Sequence, residues 1–179
     1  VFNNEYEGKK YDPDIYDGLY YSLKSKSKKD FNTYKGHENA VRDIAFSPKS
    51  KVLYSTGSDG KILKWDLNDT NKSHKLIHYQ KDIINRDISL SNNLRWLACA
   101  SEESEILVID LFTKNKKYMK GHHGYVASLQ FSDNNNYLVS GGRDSTVYFW
   151  NLDTEEKVKI GKCNSPIKSV DISPDDNII

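Results

Sequence analysis

The chain has 179 residues, and its 26 basic and 25 acidic side chains are interspersed and give a net charge of +1. Only four basic residues are arginines and no basic stripe is visible, which disfavours direct nucleic-acid binding. No apolar stretch reaches the roughly 18 residues that can span a bilayer, and no secretory signal opens the chain. These features predict a cytoplasmic protein in which Cys99 and Cys163 remain free thiols.

The segment before residue 31 predicts a short helix followed by a basic linker. Residues 12–14 read Asp-Pro-Asp, which is typical of a helix N-cap with proline at the first helical position. Ile15, Leu19 and Leu23 then recur at helical spacing and form an apolar stripe. The lysine-rich run over 24–29 ends this stripe and predicts a solvated linker rather than a phosphate or membrane contact. We therefore assign residues 1–30 to a helical junction.

Beyond this junction, a pattern of four side chains occurs twice, 85 residues apart. In both copies His and Ser are separated by 18 residues, Ser and Asp by 4, and Asp and Trp by 6. A Gly precedes each His, and an Asp or Asn follows each Trp. Identical spacing within strand-like sequence indicates a repeated structural unit. The two copies of this quartet are His37, Ser55, Asp59 and Trp65, and His122, Ser140, Asp144 and Trp150.

Weaker copies of the unit lack the quartet. Residues 84–111 align with the first unit without gaps, but other side chains occupy the quartet positions. A fourth copy starts near the end of the chain, where Ile167 corresponds to Val126 and Cys163 to the His. The replacements in the second unit are Lys81, Cys99, Glu103 and Ile109.

Each unit predicts four β-strands. In the first unit, alternating or β-rich runs cover 41–46, 52–56, 62–67 and 75–79, with turn residues between them. Because no helical stripe follows residue 31, we expect the region 31–179 to be all-β. The units span about 36–79, 80–120, 121–161 and, for the start of a fourth, 162–179.

A period of about 40 residues that begins with Gly-His and ends with Trp-Asp resembles the WD-repeat β-propeller family. The resemblance implies four-stranded antiparallel blades, in which the His, Ser, Asp and Trp of one blade form a hydrogen-bonded chain. Such a chain fixes strand register, because an unpaired buried donor costs about 1–3 kcal/mol. A hydrolase triad is the alternative reading of an Asp-His-Ser set. It is disfavoured because the Ser lies mid-strand and because enzymes rarely carry a triad twice.

Three units and the start of a fourth are too few to close a ring. Propellers close with four to eight blades, because an open blade leaves strand edges in water. We therefore expect an incomplete ring in this chain, completed by blades from a longer chain or by self-association. Residues 31–35 are expected to form the outer strand of such a completing blade.

The resemblance implies a non-catalytic interaction scaffold or sensor that binds a protein or peptide at one rim of the propeller. No cofactor or metal is expected. Rim positions lie just before the first strand and just before the quartet Asp of each blade. Tyr125 and Arg143 are the strongest candidates, since Tyr and Arg are enriched at binding hot spots. The other rim candidates are Glu38, Ile84, Glu102 and His123.

Two alternative functions remain open. Residues 1–8 and 12–24 resemble the helical junction before the propeller in bacterial multidomain proteins with an NTPase or caspase-like protease. The chain would then be the regulatory portion of such a protein. The second alternative is a nucleic-acid-binding propeller. An enzyme is not expected within these residues, because they contain no Gly-rich phosphate loop, metal-ligand spacing or nucleophile elbow.

Overall fold

The computed structural model describes residues 34–47, 50–173 and 175–176. Within these residues it contains twelve β-strands and no helix, and therefore no helix long and apolar enough to cross a membrane. The chain divides into two units, Val1–Lys35 and Gly36–Ile179. The helix predicted before residue 31 lies outside the described residues. Of the outer strand predicted over 31–35, only the last two residues are described, and they belong to no strand.

The twelve strands form three four-stranded antiparallel sheets, each a meander of four consecutive strands. Blade one contains β1 (Val41–Ser47), β2 (Val52–Gly57), β3 (Lys61–Asp66) and β4 (His74–Tyr79). Blade two contains β5 (Asn85–Leu90), β6 (Trp96–Ser101), β7 (Glu105–Asp110) and β8 (Lys116–Lys120). Blade three contains β9 (Val126–Phe131), β10 (Tyr137–Gly142), β11 (Thr146–Asn151) and β12 (Lys157–Lys162). The predicted all-β architecture of four-stranded antiparallel blades is thus confirmed.

The blades stack face to face, and two apolar clusters fill the spaces between them. Alternate residues of β6 point to opposite faces of its sheet. Leu97 and Cys99 pack in the cluster shared with blade one, whereas Ala98 and Ala100 pack in the cluster shared with blade three. Because both faces are covered, the two middle strands of blade two, β6 and β7, are apolar at nearly every position rather than at alternate ones.

The ring formed by the described residues is open, as predicted. The side of blade one that faces away from blade two carries Ile44, which is 56% exposed, and Phe46, which is 53% exposed. Exposed strand faces of this kind are the surfaces that a neighbouring blade covers in a closed propeller.

The sequence predicts the first strand of a fourth unit, but residues 163–173 form no strand. Strands are stabilised by pairing, and no second strand of this unit is described beside the segment. It packs instead on blade three, where the Ile167 N–H donates to the Gly142 carbonyl at 3.0 Å. A Cβ at Gly141 would lie 2.3 Å from Cγ2 of Ile167, so only glycine permits this approach.

Candidate functional site

The quartet of blade three is one continuous hydrogen-bonded chain. The Trp150 indole N–H donates to Oγ of Ser140 at 2.8 Å, and this hydroxyl pairs with Nε2 of His122 at 2.7 Å. On the other side of the ring, Nδ1 of His122 lies 3.0 Å from Oδ1 of Asp144. Since the serine oxygen accepts from Trp150, its proton is directed to Nε2, and the imidazole donates from Nδ1 to the carboxylate. The chain links the first loop, two strands and the β10–β11 turn.

The surroundings of the quartet determine the charges of His122 and Asp144. Burial lowers the pKa of His122, and this outweighs the opposing effect of the Asp144 carboxylate, so the neutral imidazole is favoured. Burial alone would raise the pKa of Asp144, but hydrogen bonds from Thr146, His122 and the His123 backbone lower it to about 2. With a neutral imidazole beside an ionised carboxylate and no exposed hydroxyl, the arrangement supports strand register and not nucleophilic catalysis.

Blade one repeats the same geometry. Oγ of Ser55 lies 2.7 Å from Nε2 of His37 and accepts from the Trp65 indole N–H at 2.8 Å. The distance from Nδ1 of His37 to Oδ1 of Asp59 is 2.9 Å. The Asp59 carboxylate also accepts the Glu38 backbone N–H at 2.9 Å.

Blade two has a different interior at the equivalent place. Cys99 occupies the serine position, where burial raises the pKa of its thiol to about 12. Its sulfur lies 3.6 Å from the Thr56 hydroxyl. Beside it is a cavity of about 140 Å³ lined in part by His78, Asn85 and Ser101. The missing quartet therefore leaves unfilled space as well as fewer polar links. The second cysteine, Cys163, is free and exposed.

Half-buried carboxylates on the first strand of blades one and two join each blade to the next. The Asp43 carboxylate accepts the Ile88 backbone N–H of the next blade at 2.9 Å. Asp87 repeats this contact one blade further on and accepts the Leu129 backbone N–H at 2.8 Å. Burial and the neighbouring Asp43 carboxyl together raise the pKa of Asp87 to about 7. These links set the positions of the strand ends that carry the rim.

The predicted rim positions are brought together in pairs by one backbone hydrogen bond per blade. The Arg143 N–H donates to the Tyr125 carbonyl at 2.9 Å, and the Glu102 N–H donates to the Ile84 carbonyl at 2.9 Å. In blade one the corresponding bond joins Ser58 to Ala40 at 2.8 Å. The loop before the first strand and the loop after the second strand thus share one edge of each blade.

The remaining rim candidates have different surroundings. The Glu38 carboxylate pairs with the Lys61 ammonium at 2.7 Å, and its side chain remains 76% exposed. His123 is exposed, and its backbone N–H is committed to Asp144 at 2.8 Å. Ile84 is half-buried. These three residues do not line the cleft that contains Tyr125 and Arg143.

Tyr125 and Arg143 line a cleft of about 610 Å³ at this rim. The Arg86 guanidinium carbon lies 4.0 Å from the Tyr125 ring centroid, and that of Arg143 lies 5.6 Å from it. The Arg86 guanidinium also pairs with Glu102 at 2.6 Å. A half-buried aromatic ring that two guanidinium groups approach is a preorganised surface for a partner. The other residues of the cleft are Arg42, Ala127, Pro166, Ile167 and Lys168.

Sequence reasoning missed Arg42, Arg86 and Lys168. They lie 44 or more residues apart from one another and form no basic run in the sequence. A signal was nevertheless available, because each occupies the second position of the first strand, or its equivalent, in its own repeat unit. Among the described residues, no three His, Cys, Asp or Glu side chains converge on a possible metal site.

The fold and the site define a propeller made of repeats, with a cleft at one rim. The His, Ser and Asp side chains of the described quartets are buried and serve the structure. Residues 28–66 and 113–151 match the WD40 family model, "WD domain, G-beta repeat". The transcription factor unc-37 of Caenorhabditis elegans is 28% identical over 163 residues, which are 90% of this chain and 26% of that protein. This chain therefore spans about a quarter of that curated relative.

Two solved structures share the fold. The structures of U3-55K and of the RRP9 WD40 repeats match with TM-scores of 0.65 and 0.66, each at 18% sequence identity. Each match covers 75% of this chain, and 43% and 42% of the respective structures. Two segments of the chain thus match the WD-repeat family model, and the fold is that of WD40 repeat structures. Proteins of this family generally act as interaction scaffolds and are generally non-catalytic.

Proposed function

We propose that this chain is a non-catalytic scaffold or sensor module that binds a protein or peptide partner through the rim at Tyr125 and Arg143. The observation that supports this most is the cleft itself. It combines an aromatic ring, guanidinium groups and an apolar wall formed by Pro166 and Ile167. Hot spots of protein interfaces are enriched in tyrosine and arginine that are held in defined positions.

The hydrogen-bonded frame of blade three supports a role in binding a partner at a preorganised surface. Arg143 directly precedes Asp144, the quartet carboxylate, and Tyr125 is joined to Arg143 by a backbone hydrogen bond. The backbone at both residues is therefore held by the hydrogen-bonded frame of blade three. A preorganised surface loses little conformational entropy on binding.

The test is quantitative affinity capture with the purified protein and with Tyr125→Ala and Arg143→Ala variants. We expect one or more partners to be recovered at least fivefold less with each variant. Arg95→Ala is the matched control, because Arg95 precedes β6 at the opposite end of blade two and pairs with Asp110 at 3.2 Å. Circular dichroism would verify that all variants are folded. Equal recovery of every partner by wild type and both rim variants would contradict the proposal.

A nucleic-acid ligand is the second candidate function, since three of the four arginines of the chain meet at one rim. Retention on duplex DNA and on single-stranded RNA should be measured at several salt concentrations. Steep loss of binding with salt, and loss in the Arg143→Ala variant, would favour this candidate over a protein partner.

A further inference from the structure

We propose that the rim cleft binds the phosphate group of a phosphorylated peptide through a cationic cluster formed by Arg42, Arg86, Arg143 and Lys168. This inference rests on the proposed function, because it names the chemistry of the partner that the rim receives. The four side chains come from three blades and the segment after blade three, and all of them line the same cleft.

The repeat geometry directs these cations to one place. In β1 the pairing register passes from Val41 to Asp43 and skips Arg42, and in β5 it passes from Asn85 to Asp87 and skips Arg86. Each arginine is therefore the extra residue of a β-bulge. A bulge bends the strand and re-aims its side chain, and bulges are frequent beside functional sites. Ala127 occupies the same skipped position in blade three and leaves room in the cleft.

Arg86 is held in place, but one of its hydrogen-bond donors has no partner within the described residues. Its guanidinium lies on the Tyr125 ring and pairs with Glu102, while its Nε is buried and has no hydrogen-bond partner within the described residues. Leaving a buried donor of a charged group unpaired is unfavourable. An anion in the cleft would reduce the repulsion between Arg86 and Arg143, whose guanidinium groups both approach the same ring.

The charge balance favours phosphate over a single carboxylate. Four cationic side chains line the cleft and no acidic side chain does. Glu102 lies outside the lining and offsets one of the four charges through its pair with Arg86. A phosphate monoester carries close to two negative charges and presents three acceptor oxygens, which match guanidinium donors in bidentate geometry.

A peptide fits the surface better than a nucleic-acid backbone does. The cationic cluster is confined to one cleft, and the exposed carboxylate of Glu38 and that of Glu102 stand on the same rim of blades one and two. A nucleic acid presents a phosphate at every nucleotide and needs a basic stripe along its path. Carboxylates on the rim would repel the further phosphates of a nucleic-acid backbone. A peptide with one phosphate places no second phosphate beside these carboxylates.

The test is fluorescence anisotropy with a labelled peptide pool that has a central phosphoserine and degenerate flanks. The unphosphorylated pool, a pool with Asp in place of phosphoserine, and a single-stranded oligouridine serve as comparison probes. We expect the phosphorylated pool to bind at least tenfold more tightly than the unphosphorylated pool, and the Asp pool to bind weakly. Affinity for the phosphorylated pool should fall at least tenfold in Arg143→Ala and partly recover in Arg143→Lys, while Arg95→Ala should bind like wild type.

Failure of this inference can be distinguished from failure of the proposed function. If captured partners depend on Tyr125 and Arg143 but phosphatase treatment leaves their recovery unchanged, the phosphate inference is overturned and the scaffold proposal stands. If oligouridine competes more strongly than the phosphorylated pool, the cleft is a nucleic-acid site and the inference fails. If no partner depends on the rim, both proposals fail. Thermal unfolding of each variant ensures that lost binding is not lost folding.

Discussion

The guanidinium group of Arg86 in blade two lies 4.0 Å from the ring centroid of Tyr125, which precedes blade three. This contact crosses a blade boundary and so couples the rim of one repeat to that of the next. A partly desolvated cation–π pair contributes about 0.5–2 kcal/mol. The rim is therefore a surface built jointly by neighbouring blades, and this gives it more order than separate loops would have.

Replacing Ser140 with Ala should strongly destabilise blade three. The change leaves the Trp150 indole N–H and the His122 imidazole without their shared partner, and both residues are buried. We expect the free energy of unfolding to fall by about 2–4 kcal/mol, as measured by urea denaturation. Cys99→Ala, at the same strand position in blade two, serves as the control and should cost about 1 kcal/mol. Equal losses would show that the quartet adds nothing to stability.

The free energy of unfolding should depend on pH through His122 and Asp144. The pKa of His122 is lowered from 6.5, and that of Asp144 is lowered from 3.8 to about 2. Both groups therefore bind protons more readily in the unfolded chain, and their stabilising effect is present at neutral pH. It should be lost progressively as the pH falls below 6.5 for His122 and below 3.8 for Asp144.

Urea denaturation between pH 8 and pH 4 would measure the effect of His122. In His122→Gln, the part of the pH dependence that lies just below pH 6.5 should become smaller. The difference between the variant and wild type should therefore shrink as the pH falls. A difference that stays constant across this range would contradict the assignment of a buried neutral imidazole.

Asp87 should change the free energy of unfolding with pH in the opposite direction to His122 and Asp144. Its pKa is raised to about 7, so the folded protein holds this proton over a range in which the unfolded chain releases it. The stabilising contribution is fully present below pH 3.8 and is lost as the pH rises through about 7. Asp87→Asn can still accept the Leu129 N–H and donate to Asp43. We expect the variant to be about 1 kcal/mol more stable than wild type at pH 8 and to gain nothing at pH 4. Denaturation at both pH values measures this, and a gain at pH 4 alone would contradict it.

Gly60 should tolerate no side chain in the β2–β3 turn. Its φ is +72°, and a Cβ would lie 2.0 Å from the Gln80 carbonyl oxygen, which belongs to the loop after β4. Gly60→Ala is expected to lower the free energy of unfolding by about 1–3 kcal/mol, measured by thermal or urea unfolding. Gly161→Ala is the control, since a Cβ there meets no atom within 4 Å. If both variants unfold alike, the close approach at Gly60 is not a constraint.

Most of the architecture could be predicted from the sequence because it depends on local periodicity. Alternation and turn residues predicted three four-stranded units, and the resemblance carried by the repeated spacing supplied the propeller. The fourth unit was harder, because residues 163–173 have the alternation of a strand but no paired strand in the described structure. Pairing is a property of neighbours and not of the segment itself.

The cleft was only half predicted. Tyr125 and Arg143 could be found because Tyr125 lies just before a first strand and Arg143 just before a quartet Asp, but the same reasoning treated the small number of arginines only as a reason against direct nucleic-acid binding. Arg42 and Arg86 are 44 residues apart in the chain. Whether they share a surface depends on two bulges and on how adjacent blades stack.

The sequence alone thus determined the repeat, its strands and the positions of the two quartets, because these depend on side chains at fixed short spacing within one blade. Only the tertiary structure decided that three arginines and Lys168 line one cleft, that two of these arginines approach the Tyr125 ring, and that Asp87 is half-buried beside Asp43. Those relationships arise between blades. They depend on the distance and rotation between stacked sheets, which no local pattern encodes.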